Sequence, residues 1–195
     1  MSTTVPGIEK VDFRPLYLAV NALPWTFTGH MEWLVKVALA HQIAGYLTLG
    51  LGRYGSSMTI ARQRNNLVDK ALKSDATHFL FVDADLIPPD GAIWKLFLLE
   101  ADIATGIYYS KDDFSKPIPH CMGFSLIRRS VFENMEGPWF EIKDGQGTED
   151  INFFARATEM GLVIKQDEQL VAEHLGIFSN RDEKLKSNKD FINKL

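Results

Sequence analysis

The sequence has few of the features that mark secreted, membrane or nucleic-acid-binding proteins. It contains one cysteine, Cys121, so no disulfide can form within the chain. No apolar run approaches the roughly 18 residues of a membrane span, and residues 1–10 lack the basic start and apolar core of a signal peptide. The net charge of -4 gives no support for nucleic acid as a partner. We therefore expect a soluble cytoplasmic protein without a transmembrane segment.

What the chain does have is enough apolar sequence for one α/β domain. Its 195 residues and 46% hydrophobic content are ordinary for a single domain with a full core. Strand and helix patterns alternate through the first hundred residues, and the later strands are shorter and less regular. This order predicts an α/β sheet whose second half is partly antiparallel. The patterns predict strands at 16–20, 46–49, 78–83, 103–109, 124–127 and 170–173. They also predict a helix that begins at about residue 28, a helix that ends at about residue 99, and helices at 58–73, 128–135 and 149–160.

The most informative stretch is His78-Phe79-Leu80-Phe81-Val82-Asp83-Ala84-Asp85, an apolar run that stops at two carboxylates. Such a run is typical of a strand buried on both faces. Because ligands of open parallel sheets bind beyond the carboxyl ends of the strands, Asp83 and Asp85 would lie at that edge. A divalent ion that also binds phosphate oxygens would relieve their mutual repulsion. The alternative is that both residues only form a turn.

Three further groups are candidates for chemistry. Arg64 falls on the buried stripe of the helix at 58–73, where Asp83, Asp85 or a ligand phosphate could pair with it, although a purely structural ion pair or solvation would also account for it. Glu149 and Asp150 open a helix, a place where the helix dipole alone favours acidic residues. His174 ends a strand, where histidines often only pack. Taken together, these groups fit one mechanism: Asp85 and His174 hold Mn²⁺ or Mg²⁺ carrying diphosphate oxygens, and Asp150 removes a proton from an attacking hydroxyl.

A glycine-rich segment gives a competing interpretation. Gly50, Gly52 and Gly55 form Gly-x-Gly-x-x-Gly between a predicted strand and a predicted helix, which is the layout of a dinucleotide-binding motif in a nicotinamide-dependent oxidoreductase. The motif follows the second strand and not the first, and Ser56 or Ser57 as the helix N-cap would leave Gly55 outside the helix. We therefore favour a glycine-rich connecting loop.

The segments just described, in their order and spacing, resemble those of GT-A glycosyltransferases, nearest the family-two group of inverting enzymes. The segments that carry the resemblance, which covers about residues 14–178, are Arg64–Val68, the Asp-x-Asp motif in Phe79–Asp85, Gly106–Ser110, Gly123–Arg129, Thr148–Ile151 and His174–Gly176. The resemblance implies one GT-A domain over residues 1–195, with a mostly parallel central sheet and helices on both faces. Residues 12–112 would form the nucleotide-sugar-binding half, 113–178 a partly antiparallel acceptor-side half, and 179–195 a tail.

The resemblance also implies a role for each matching residue. The activity would be metal-dependent transfer, with Mn²⁺ or Mg²⁺, of a sugar from a nucleoside-diphosphate donor to a hydroxyl of a glycan, protein or lipid acceptor, with inversion. The resemblance implies that Asn21 lies by the nucleobase, that Arg64 and Asn65 support the nucleotide side, and that Asp83 contacts the donor ribose or helps to hold the metal. It implies further that Asp85 and His174 bind the metal, that Trp139 and Glu149 face the acceptor, and that Asp150 is the catalytic base.

Two points of the resemblance bear on identity. Where family members carry an acidic residue that helps to read the donor base, this chain has Gly50-Leu51-Gly52-Arg53, so the base is not specified. The small size is similar to that of a glycosyltransferase-like protein of an archaeal virus, which would place the chain in the host cytoplasm. A non-catalytic relative that binds a nucleotide-sugar or a glycan is the alternative.

Overall fold

The computed structural model describes residues 16–22, 32–34, 36–37, 47–53, 59–110, 117–118, 120, 122–143 and 148–175. Its strands are β1 (Leu16–Ala22), β2 (Leu47–Arg53), β3 (His78–Asp83), β4 (Leu86–Ile87), β5 (Ile103–Tyr109), β6 (Pro117–Ile118), β7 (Phe124–Arg128), β8 (Ile164–Val171) and β9 (Glu173–His174). Its helices are α1 (Ile60–Ala71), α2 (Ala92–Leu98), α3 (Arg129–Asn134) and α4 (Glu149–Glu159). Residues 32–34 and 36–37 are also helical, in agreement with the helix predicted from about residue 28.

The main sheet combines a parallel part with antiparallel strands, as the sequence predicted. Its order is β2-β1-β3-β7-β5-β6, with β8 also paired to β5. Strands β2, β1 and β3 are parallel, β7 runs antiparallel to both β3 and β5, and β8 is parallel to β5. A separate two-stranded sheet pairs β4 with β9. The carboxyl ends of β1, β2 and β3 therefore meet at one edge, which is where ligands bind in sheets of this kind.

The core lies on both faces of the sheet, and β3 contributes to both sides. Leu80 and Val82 pack with α2 and with the helical residues near 33. Phe79 and Phe81 pack on the opposite face, in an aromatic cluster with residues of α1, α3 and α4. Both the burial of β3 on two faces and the helices on both faces of the sheet are therefore confirmed. No helix among the described residues is long and apolar enough to span a membrane.

The glycine-rich segment differs from its prediction. Strand β2 continues to Arg53, and Gly50 and Gly52 pair in register with Ala19 and Asn21 of β1. These glycines extend a strand and do not form a phosphate-binding turn, so the dinucleotide interpretation was wrong; Gly55 lies outside the described residues. The predicted N-cap at Ser56 or Ser57 was also wrong, because Thr59 precedes α1 and its side chain accepts a hydrogen bond from the Arg62 N–H (3.3 Å).

Two further elements differ from the sequence predictions. Strand β8 starts at Ile164 and not near Leu170, because its charged and polar residues are tolerated beside β5 where water reaches them. Thr148 stands at the N-cap of α4, but its hydroxyl donates to Asp150 Oδ1 and does not cap a helix N–H. The end of α4 at Gly161, with φ of 71°, is as predicted. The tail at 179–195 lies outside the described residues, as do residues 1–15, 111–116 and 144–147.

Candidate active site

The first part of the site is the edge where β1 and β3 end. Asn21 of β1 is in register with Asp83 of β3, although the Asn21 side chain lies outside the described residues. The Asp83 N–H donates to the Gly123 carbonyl (3.0 Å), just before β7 begins. The structure thus brings the predicted donor-side residues Asn21 and Asp83 to one place, together with Gly123.

Arg64 links this edge to the start of α4. Its Nη2 donates to both carboxylate oxygens of Asp83 (3.2 Å each), and its Nη1 donates to Glu149 Oε1. The Arg64 side chain is only 5% exposed and that of Glu149 9%, whereas that of Asp83 is 24% exposed. Of the partners that the sequence left open for Arg64, the structure shows Asp83. The position of Glu149 differs from the acceptor-facing position expected from the resemblance, because its carboxylate is buried against Arg64.

The charges around Arg64 decide its protonation. Burial disfavours the charged guanidinium and is the largest single influence, but the carboxylates of Asp83 and Glu149, then Asp150 and Tyr108, together outweigh it and raise the pKa of Arg64 above its ordinary value. Arg64 therefore stays cationic up to strongly alkaline pH. Its buried Nε has no hydrogen-bond partner among the described residues.

Asp85 and His174 form the second part of the site. Pairing of β4 with β9 sets Leu86 opposite His174, and the Leu175 N–H donates to the Asp85 carbonyl (2.7 Å). The His174 Nδ1 lies 2.8 Å from the Tyr109 carbonyl, which can only accept, so Nδ1 carries a proton. Nε2 therefore faces Asp85 Oδ2, at 3.5 Å.

This pair suits one divalent metal ion. A backbone carbonyl that holds one ring nitrogen commonly orients the other toward a metal. Two ligands at right angles around an ion with bonds of about 2.1 Å lie about 3 Å apart, which is close to the separation of Asp85 Oδ2 and His174 Nε2. Among the described residues no group of three or more His, Cys, Asp or Glu side chains is placed to hold a metal ion. The protein would thus supply two ligands, and a bound phosphate or water would complete the coordination.

Asp150 stands beside the Arg64 network in the first turn of α4. Its Oδ1 accepts from the Thr148 hydroxyl and from its own neighbour, the Ile151 N–H (2.9 Å). Asp150 is half-buried, and its negative charge contributes to the raised pKa of Arg64. Asp150 is therefore held in a fixed orientation near Arg64.

Asn65 and Trp139 make structural contacts to the segment before α4. The Asn65 amide donates to the Phe140 carbonyl (2.7 Å) and accepts from the Phe140 N–H (3.1 Å). The Trp139 indole N–H donates to the carbonyls of Phe132 (2.9 Å) and Met135 (3.0 Å). The amide expected beside the nucleotide thus fixes the backbone at Phe140, and the indole N–H of Trp139 points into the protein.

Two residues at the site were not singled out from the sequence. Gly123 lies against the Asp83 carboxylate, and a Cβ there would be 2.4 Å from Asp83 Oδ2. Tyr108 packs edge-on against His174, with ring centroids 5.0 Å apart. Neither contact follows from local spacing, because each joins residues that are far apart in the chain. The only sequence signal was that both residues lie in segments that carry the family resemblance.

Solved structures share this architecture. The sequence matches no protein-family model and no curated protein. A glucosyl-3-phosphoglycerate synthase from Mycobacterium tuberculosis, in complex with phosphoglyceric acid, is similar with a TM-score of 0.56 and 14% identity over 91% of this chain and 76% of that chain. A Drosophila galactosyltransferase 7 in complex with manganese, UDP-Gal and xylobiose gives a TM-score of 0.56 and 14% identity over 90% and 79% of the two chains.

A third similar structure is a glycosyltransferase involved in glycosylation of the major capsid of PBCV-1, with a TM-score of 0.53 and 13% identity over 79% of this chain and 82% of that chain. At such identities the likeness concerns the fold. The chain therefore has the GT-A fold of the nucleotide-diphospho-sugar transferases.

Proposed function

We propose that the protein is a metal-dependent glycosyltransferase that moves a sugar from a nucleoside-diphosphate donor to an acceptor hydroxyl with inversion. The observation that carries the proposal is the juxtaposition of Asp85 Oδ2 and His174 Nε2 at 3.5 Å, beside the strand end that bears Asp83. Similar structures include one solved with manganese and UDP-Gal. Membership of the family-two group, the cytoplasmic location and a viral origin are parts of this proposal that only the sequence resemblance supports.

Charge compensation assigns different roles to the two aspartates of the Asp-x-Asp motif. Both oxygens of the Asp83 carboxylate already accept hydrogen bonds from the buried Arg64, which leaves Asp83 less suited to binding a metal cation. Its exposed oxygen edge can still accept a hydrogen bond from a hydroxyl, and the donor ribose offers hydroxyls. Asp85 faces His174, so these two residues would hold Mn²⁺ or Mg²⁺. When bound, the ion supplies positive charge to the departing nucleoside diphosphate.

The protein groups then have separate tasks in the transfer. Asp83 would accept a hydrogen bond from the donor and fix its position, and the neighbouring Asn21 would lie by the nucleobase. Asp150 would take the proton of the acceptor hydroxyl as that oxygen attacks the anomeric carbon. The Thr148 hydroxyl and the Ile151 N–H, which both donate to Asp150 Oδ1, hold this carboxylate and leave Oδ2 to reach the acceptor. Asn65 and Glu149 would act by positioning, because their polar groups are taken up by Phe140 and Arg64.

The acceptor would bind on the side of the site formed by α4 and the segment before it. Trp139 is half-buried, and its ring is the group available to a sugar face since its N–H is bonded inward. Glycans, proteins and lipids all carry hydroxyls that this arrangement could use. The transfer assay identifies which of these classes is the acceptor.

The direct test is a transfer assay on a panel of nucleotide-sugars with Mn²⁺, comparing wild type with Asp150→Asn. We expect the variant to lose about 10²–10⁴-fold in kcat, because the carboxamide cannot take the proton, and to keep the donor-induced rise in melting temperature. Asp75→Asn, at an exposed position between α1 and β3, is the matched control and should turn over normally. Normal turnover by Asp150→Asn would place the base elsewhere. Nucleotide binding by wild type without transfer to any acceptor would favour the non-catalytic alternative.

A further inference from the structure

Gly123 occupies a buried position where the two halves of the domain meet. It directly precedes β7, whose first residue, Phe124, pairs with Val82 of β3. Its carbonyl accepts the Asp83 N–H at 3.0 Å. The backbone of Gly123 thus continues the β3–β7 pairing by one step, at the point where β3 delivers its carboxylate to the site.

The space beside Gly123 is filled by that carboxylate. A Cβ built on Gly123 would be 2.4 Å from Asp83 Oδ2 and 2.9 Å from its Cγ, distances that real Cβ atoms do not show. The next atom, Leu86 Cδ1, is 3.2 Å away and belongs to a side chain that can rotate. The φ of Gly123 lies outside the left-handed region, so close approach and not backbone freedom requires glycine here.

Asp83 is held from the opposite direction by Arg64. The guanidinium donates to both carboxylate oxygens at 3.2 Å, and it is itself fixed by burial and by Glu149. The carboxylate therefore has little room to retreat from a methyl group on Gly123. Any rotation that relieved the clash would break at least one of the two hydrogen bonds from Arg64.

We propose that Gly123 is a positioning residue for donor binding, which fixes the Asp83 carboxylate by lying in contact with it opposite Arg64. The proposal rests on the proposed function in one respect, namely that Asp83 contacts the nucleotide-sugar. A methyl group at residue 123 displaces the carboxylate from its donor-binding orientation. The atoms nearest to the added methyl group belong to Asp83 and Leu86, and none belongs to Asp85 or His174.

The first test measures UDP or another accepted nucleoside diphosphate by calorimetric titration with Mn²⁺ present. For Gly123→Ala we expect the Kd to rise by about tenfold or more, because a displaced Asp83 carboxylate would make a longer and weaker hydrogen bond to the donor. Gly137→Ala is the matched control, since the nearest atom to its Cβ would be Trp139 Cε2 at 4.0 Å, and its Kd should equal that of wild type. An unchanged Kd for folded Gly123→Ala would overturn the proposal.

The second test does not depend on any ligand. Gly123→Ala is made in wild type and in Asp83→Ala, and the four melting temperatures form a double-mutant cycle. Because Asp83→Ala removes the atoms that the methyl group would meet, we expect the loss in melting temperature caused by Gly123→Ala to shrink by about half or more in that background. Equal losses in both backgrounds, or failure of both to fold, would overturn the proposal. If wild type binds no nucleotide while the cycle shows the expected coupling, the contact stands and the proposed function fails.

Discussion

Replacing Arg64 by Met tests the buried ion network that joins β3 to α4. The substitution keeps an unbranched apolar stem of similar length and removes the hydrogen bonds to Asp83 and Glu149. Breaking a buried ion pair by removing one partner costs about 3–5 kcal/mol of unfolding free energy, because a buried charge is left uncompensated. Most of this cost should come from Glu149, which is 9% exposed, since Asp83 at 24% can regain part of its hydration.

This cost is large for a single domain. Typical domains unfold with about 5–15 kcal/mol, and a domain of this size loses roughly 2–4 °C of melting temperature per kcal/mol. We therefore expect Arg64→Met to melt about 6–20 °C below wild type. Urea denaturation at neutral pH should show a lower midpoint with an unchanged slope, which is the sign of a change in stability alone.

Two variants make the test specific. Arg62→Met changes an exposed arginine of the same helix and should alter stability by no more than about 0.5 kcal/mol. Adding Glu149→Gln to Arg64→Met removes the stranded charge, so we expect the double variant to be more stable than Arg64→Met alone. If Arg64→Met costs no more than Arg62→Met, or if Glu149→Gln gives no recovery, the network does not carry the stability that its geometry indicates.

Two other substitutions test single contacts by the same denaturation measurement. The Thr105 hydroxyl is buried in β5 without a hydrogen-bond partner among the described residues, so Thr105→Val should leave stability unchanged or raise it by about 1 kcal/mol; a loss of similar size would reveal a partner. Asn65→Ala leaves the Phe140 N–H and carbonyl without their bonds and should cost about 1–3 kcal/mol, whereas Asn134→Ala, at the exposed last residue of α3, is the control. Equal effects of these two asparagine variants would show that the Phe140 contact is unimportant.

The central strand and the helix that carries Arg64 could be predicted from the sequence. A run of apolar and aromatic residues ending in Asp83 specifies a strand buried on two faces, and β3 is such a strand. The three- and four-residue spacing of apolar positions placed Arg64 on the buried stripe of α1, where it lies. Local pattern works at these positions because burial on the sheet or helix face determines which residues are tolerated.

Other elements were predicted wrongly because tertiary pairing outweighed local preference. Gly50 and Gly52 are typical of turns, yet pairing with β1 keeps them in β2. The start of β8 is polar, and its strand conformation depends on β5, whose residues lie about 60 positions earlier. Periodicity alone therefore predicted neither the end of β2 nor the start of β8.

Contacts within the site were the least accessible to sequence reasoning. Glu149 was assigned to the acceptor side by the family resemblance, and only the fold brings it to the Arg64 guanidinium, 85 residues earlier in the chain. The approach of Gly123 to Asp83 likewise joins two segments with no shared periodicity. The nearness of Asp85 and His174 was expected from the family resemblance, and the pairing of β4 with β9 provides its physical cause.

The most direct test of the account is the metal dependence of nucleotide binding. At a nucleoside-diphosphate concentration of about 100 times Kd, ligand binding stabilises the folded state by about 2.7 kcal/mol, which should raise the melting temperature by about 5–11 °C. We expect this rise for wild type with Mn²⁺, and for the exposed-histidine control His120→Ala, but a much smaller one without metal or in His174→Ala. No rise with any nucleoside diphosphate and Mn²⁺, or a full rise in His174→Ala, would contradict the account.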